Sequence, residues 1–99
     1  MTNRTGRSAV MQSRGKLKVY LHAYPTAEDF ERLDAALEGV AGIEMGRCTK
    51  GFDACVREFV YGGADFRLCF DDTLGNLVDT ENLAAGDLLE RLASQIDGA

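Results

Sequence analysis

The sequence predicts an α+β domain: a mainly antiparallel sheet of four to five strands in the order β-α-β-β-β-(β)-α, with two helices packed on one face. Three observations lead there. Residues 52–61 and 64–70 are rich in aromatic and β-branched side chains and flank Gly62-Gly63, the sequence form of a β-hairpin with a tight primed turn. Residues 16–24 alternate, with Leu17, Val19, Leu21 and Ala23 on one side and Lys18, Tyr20, His22 and Tyr24 on the other, as a half-buried strand requires. Phe30, Leu33, Leu37 and Val40, and later Leu88, Leu89, Leu92 and Ile96, recur at spacings of three and four, each set giving one apolar helical stripe.

Taken in order, the chain opens on residues 1–15, which are rich in Ser, Thr, Arg, Gly and Asn, lack periodicity, and read as a disordered basic leader before a single α+β domain over 16–99. Met11 offers an internal start within that leader. The first strand, over 16–24, ends at Pro25, which has no N–H to give to a ladder. Thr26 is placed to cap the helix that follows, with Asp29 as a shortened capping-box acid, Glu28 and Arg32 as an i, i+4 pair, and Gly39 and Gly42 at its end. Residues 43–48 form a shorter strand, and Thr49-Lys50-Gly51 turns into the central hairpin. After Phe70, residues 71–76 carry turn chemistry, and Leu77-Val78 adds a short last strand. Thr80 or Asn82 caps the C-terminal helix, whose ordered part begins near Ala84 or Asp87 because Gly86 costs about 1 kcal/mol inside a helix.

The hairpin register follows from its turn. With a two-residue loop, Tyr61 faces Ala64, Val60 faces Asp65, Phe59 faces Phe66 and Glu58 faces Arg67. Phe59, Phe66, Leu68, Cys55 and Phe70 then share one side, and Glu58 and Arg67 form a cross-strand ion pair on the other. Arg57 is the misfit, since it lies on the aromatic side.

Charge and composition restrict the function. The hydrophobic fraction of 45% and charged fraction of 27% are those of an ordinary globular protein. The net charge of −5 hides an asymmetry: residues 1–18 carry Arg4, Arg7, Arg14, Lys16 and Lys18 without an acid, while the other 6 basic residues and all 16 acids lie beyond, a balance of −10. An acidic body repels phosphate backbones, which disfavours nucleic acid as the folded domain's partner and favours a basic protein. No apolar run approaches the roughly 20 residues that span a bilayer, and the leader lacks the apolar region of a signal peptide, so no membrane partner and a cytoplasmic location are expected. Cys48, Cys55 and Cys69 are odd in number and show no CxxC spacing, as expected of small hydrophobes in a reducing compartment.

Two groups of residues are candidate sites. Asp71 and Asp72, with Asp79 and Glu81 eight to ten positions on, are expected to form an acidic edge that binds a partner. Tyr20, His22 and Tyr24 are expected to line the open sheet face. Neither group is a catalytic constellation, since one His without a placed acid or nucleophile defines no mechanism. No cofactor or metal is expected: His22 and the cysteines match no zinc pattern, and the acids match no calcium loop.

In size, acidity and β-α-β-β-β-α order, residues 16–97 resemble the small immunity proteins that neutralise bacterial toxins, and equally several uncharacterised bacterial domains of the same build. The resemblance is one of architecture. It implies a non-enzymatic inhibitor or immunity protein that meets a basic partner through its acidic edge. The other reading is a small sensor or ligand-binding domain, a homodimer that covers the open sheet face.

Overall fold

One sheet of six antiparallel strands, in the spatial order β1-β2-β6-β5-β4-β3, carries two helices on a single face. The structure is a computed structural model and describes residues 7–97. Its elements are β1 (Met11–Ser13), β2 (Lys16–Leu21), α1 (Ala27–Glu38), β3 (Ile43–Lys50), β4 (Ala54–Tyr61), β5 (Ala64–Asp71), β6 (Gly75–Thr80) and α2 (Gly86–Ile96). Among the described residues no helix is long and apolar enough to cross a membrane.

The central hairpin has the expected register. Tyr61 pairs with Ala64, Phe59 with Phe66 and Glu58 with Arg67, around a turn in which Gly62 and Gly63 take φ of 61° and 81°. Positive φ is costly for a residue that carries a Cβ and free for glycine, which favours a glycine pair in this turn. α1 also starts as expected: the Asp29 N–H donates to Thr26 Oγ1 and the Thr26 N–H donates to Asp29 Oδ2, a reciprocal capping box. Arg32 turns back to Asp29 at 3.5 Å in place of the expected Glu28.

Other expectations need correction. The sheet has six strands where four to five were expected, because part of the leader is ordered. Arg14 and Gly15 take φ of 54° and 78° and fold β1 back on β2. Upstream, the Ser8 N–H donates to the Tyr20 carbonyl, and Arg7 Nη2 donates to Glu90 Oε2 and Ser94 Oγ on α2, both at 3.1 Å. Those bonds anchor a stretch whose composition suggested disorder; residues 1–6 of that leader lie outside the described residues. β2 stops at Leu21, three residues early, because the Tyr24 N–H donates to the Leu21 carbonyl and closes a turn. The buried Asn76 amide holds this turn, donating to the Tyr24 and Thr26 carbonyls at 2.7 and 3.0 Å. At the other end of the chain, neither Thr80 nor Asn82 caps α2. Thr80 Oγ1 donates to the Asp65 carbonyl, and Asn82 Oδ1 accepts from the Ala84 N–H within the preceding turn.

β3 runs two residues further than expected, to Lys50, and it is bulged. The register shifts between Met45 and Cys48, so Gly46 and Arg47 together oppose Glu58. A Cβ on Gly46 would lie 2.8 Å from the Glu58 carbonyl oxygen, so the close approach of the two backbones needs glycine. The bulge also explains Arg57. Its Nε and Nη2 donate to the Asp34 carboxylate on α1 at 2.8 and 3.0 Å, and its Nη1 donates to the Gly46 carbonyl at 2.8 Å. The apparent misfit on the helix side of β4 is the bracket joining α1, β4 and the bulge.

Between sheet and helices, Val19, Leu21, Phe66, Leu68 and Val78 meet Phe30, Leu33 and Leu37 of α1 and Leu89, Leu92 and Ile96 of α2, all essentially solvent-free. Each such side chain contributes roughly 1.5–3 kcal/mol through burial. All of this apolar packing is on one side of the sheet. The other side is left uncovered by any helix.

Candidate protein-binding site on the open sheet face

Strand alternation dictates what the uncovered side displays. Leu17, Val19 and Leu21 of β2 go to the core, so Lys16, Lys18 and Tyr20 go to the open side. Carrying that parity through the ladders gives two rows across the four central strands. One reads Lys18, Asp79, Arg67, Glu58, and the next reads Tyr20, Leu77, Cys69, Val56. A charged row therefore runs beside an apolar one.

Arg67 is the pivot of the charged row. Its expected partner was Glu58, directly opposite on β4, but its Nε and Nη2 donate to the two carboxylate oxygens of Asp79 at 3.0 and 2.8 Å. Asp79 is only 4% exposed, with Lys16 Nζ a further 4.0 Å away. A carboxylate that far from water must be paired, whereas exposed Glu58 is satisfied by solvent. The hydrogen bonds that Arg67 donates to Asp79 hold its guanidinium pKa above the ordinary value, against the opposing effect of burial. Burial pushes the neighbouring Cys69 thiol up to about 11, and the Asp79 charge adds to the shift.

Beside this pair, towards the Gly62-Gly63 turn, lies an open depression of about 790 Å³. Its charged lining is Glu44, Glu58, Asp65, Asp79 and Glu81, with Arg67 as the one cation. Asp79 neutralises Arg67. Glu44, Glu58, Asp65 and Glu81 are exposed and make no ion pair among the described residues.

The structure thus divides the expected acidic edge. Asp79 and Glu81 line the depression. Asp71 and Asp72 lie at the other end of β6, roughly 20 Å away at about 3.3 Å per strand residue. There Asp71 Oδ1 accepts from the Thr73 and Leu74 N–H groups at 2.7 and 3.1 Å and so serves the turn, and Asp72 is exposed beside it. The aromatic group is divided too. Tyr20 and His22 remain stacked, ring centroids 6.3 Å apart, but Tyr24 is buried and its hydroxyl donates to Asp97 Oδ1 at 3.3 Å.

Glu44, Glu58 and Asp65 were not among the expected site residues. Strand parity carried a signal for two of them, since the hairpin register already sets Glu58 and Asp65 on the side away from the aromatic residues. Glu44 was beyond that signal because it depends on how β3 pairs across its bulge. The thiols are scattered: Cys69 faces the open side, while Cys48 and Cys55 pair with residues on the helix side. Among the described residues no group of three or more His, Cys, Asp and Glu side chains is arranged to hold a metal ion.

Compared with known proteins, the chain matches no family model, no curated protein and no solved structure.

Proposed function

We propose that the chain is a non-enzymatic protein-interaction module of the inhibitor or immunity type, and that the acidic half of its open sheet face receives a basic protein surface. One observation supports this reading above the others: Glu44, Glu58, Asp65 and Glu81 converge on a single depression without cations of their own. Like charges held together cost free energy that a cationic partner relieves. Each exposed pair contributes at most about 1 kcal/mol, so the gain lies mainly in faster association and in rejection of acidic partners. A reducing, cytoplasmic setting belongs to the same reading and fits the free thiols of Cys48, Cys55 and Cys69.

Titration of the isotope-labelled chain with oligolysine, followed by NMR, tests the reading. The expected shifts are confined to the open side of β3, β4 and β5 and to Glu81, weaken with added salt, and vanish in Glu44→Lys/Glu58→Lys. Shifts centred on the Asp71–Leu74 turn, or none at low salt, would refute it.

A further inference from the structure

The arm formed by residues 7–13 touches the rest of the molecule at points away from its hinge. Met11, Gln12 and Ser13 pair with Lys18, Leu17 and Lys16 along the edge of β2. Ser8 extends this contact to Tyr20, accepting its N–H on Oγ at 2.9 Å and donating its own N–H to the Tyr20 carbonyl at 2.8 Å. Val10 packs against the core, and Arg7 donates to Glu90 and Ser94 on α2, with Asp97 3.8 Å away. The hinge is only Arg14 and Gly15. Arg14, with φ 54°, is the one residue other than glycine with positive φ among the described residues. That conformation is costly for a residue with a Cβ, and Asn or Gly would make the same turn with less strain.

We infer that two copies of the chain exchange this arm, so that residues 7–13 of each close the β2 edge of the other. Straightening the hinge joins β1 and β2 into one extended strand. The register of Met11 with Lys18, Gln12 with Leu17 and Ser13 with Lys16 then continues as Arg14 with Gly15 of the other copy. That register is its own image under a two-fold axis at the hinge, as a symmetric dimer requires. One unbroken antiparallel ladder over residues 11–18 replaces two short ones.

Every contact of the arm is kept in the exchanged form, because each copy presents the same β2 edge and the same α2 side chains to either arm. What changes is the hinge. Arg14 leaves the left-handed region in both copies, and residues 14 and 15 join the ladder. A short hinge under strain is the feature that favours exchange over closure within one chain. The opposing cost is the freedom lost when two chains associate, so the balance depends on concentration. A second copy fits this edge better than a foreign strand, since its Arg7 is already matched to Glu90, Ser94 and Asp97. The exchange runs along the sheet edge and is independent of what the open face binds.

Reversing the charges that hold the arm tests the exchange on the full chain. In Arg7→Glu, and in Glu90→Arg, the arm meets like charge on its own body and on that of any identical copy, so each variant alone should dimerise poorly. The two variants unfolded in urea and refolded together should give a heterodimer by native mass spectrometry. Only exchange between unlike copies sets opposite charges at both arms, and a dimer built through another surface would not tell the mixture from its components. A second measurement does not depend on those variants folding. Wild type refolded at millimolar concentration should contain a dimer in sedimentation equilibrium. Arg14→Gly should weaken that dimer on the order of 100-fold, about tenfold for each hinge whose closed form loses its strain. A mixture no more associated than its components, a wild type that is monomeric at every concentration, or an Arg14→Gly dimer as tight as the wild type would overturn the exchange.

Discussion

Asp79 holds its carboxylate at 6% side-chain exposure, and the guanidinium that neutralises it is 41% exposed. That inequality predicts an asymmetry. Arg67→Met leaves a buried carboxylate with only Lys16, at 4.0 Å, and should cost about 2 kcal/mol. Asp79→Asn leaves an arginine that can turn to water and should cost less than about 1 kcal/mol. Urea denaturation midpoints of the two variants decide this, and equal losses would contradict it. Cys69 supplies a pH prediction. Its thiol titrates near 11 in the folded chain and near 9 once unfolded, so above pH ~9 the unfolded state sheds a proton that the native state keeps. Stability present below that value should therefore fall between about pH 9 and 11, by on the order of 2 kcal/mol more in wild type than in Cys69→Ala. The sequence showed Glu58 opposite Arg67, but not that Asp79 would compete from the other flank. Which acid prevails depends on burial, and burial depends on the β5–β6 pairing, for which Leu77-Val78 alone was a faint signal.

At the scale of the element, local chemistry predicted the structure well wherever neighbours in sequence decide it. The Gly62-Gly63 turn set the register of the central hairpin, and Thr26 with Asp29 set the start of α1. It failed where distant groups decide. Residues 22–24 keep the period of β2, yet Asn76, more than fifty residues away, draws their backbone into a turn. The polar residues of β1 have little strand propensity, and they are ordered by the edge of β2 and by the bonds of Arg7 to α2. The bulge in β3 gives a sharper test. Gly46→Ala pushes a methyl group against the Glu58 carbonyl and should cost about 1–3 kcal/mol by displacing β3. Hydrogen exchange should show the loss as faster opening of β3 amides, with the β5–β6 ladder unchanged. Equal acceleration in both ladders would mean that β3 and the rest of the sheet open as one unit.

Over the whole molecule, the division of labour between the two sides of the sheet is clear. The helix side gathers the apolar stripes that composition and periodicity announced, and the Arg57–Asp34 pair fastens α1 across them. The open side gathers charges that are scattered through the sequence and meet only through the ladders. The ladders therefore divide the expected acidic edge: Asp79 and Glu81 line the depression, and Asp71 and Asp72 lie at a turn at the far end of β6. Salt is the variable that separates the two sides experimentally. Raising ionic strength should weaken oligolysine binding, because it depends on the exposed acids. It should leave the unfolding midpoint nearly constant, because the core is apolar.

The sheet's two outer strands carry one more consequence. β1 spans only Met11–Ser13, and β3 is broken by its bulge at Gly46 and Arg47. Neither margin offers the long, flat run of free backbone groups on which another strand could zip. Lateral growth into ribbons or fibrils is therefore disfavoured at both ends.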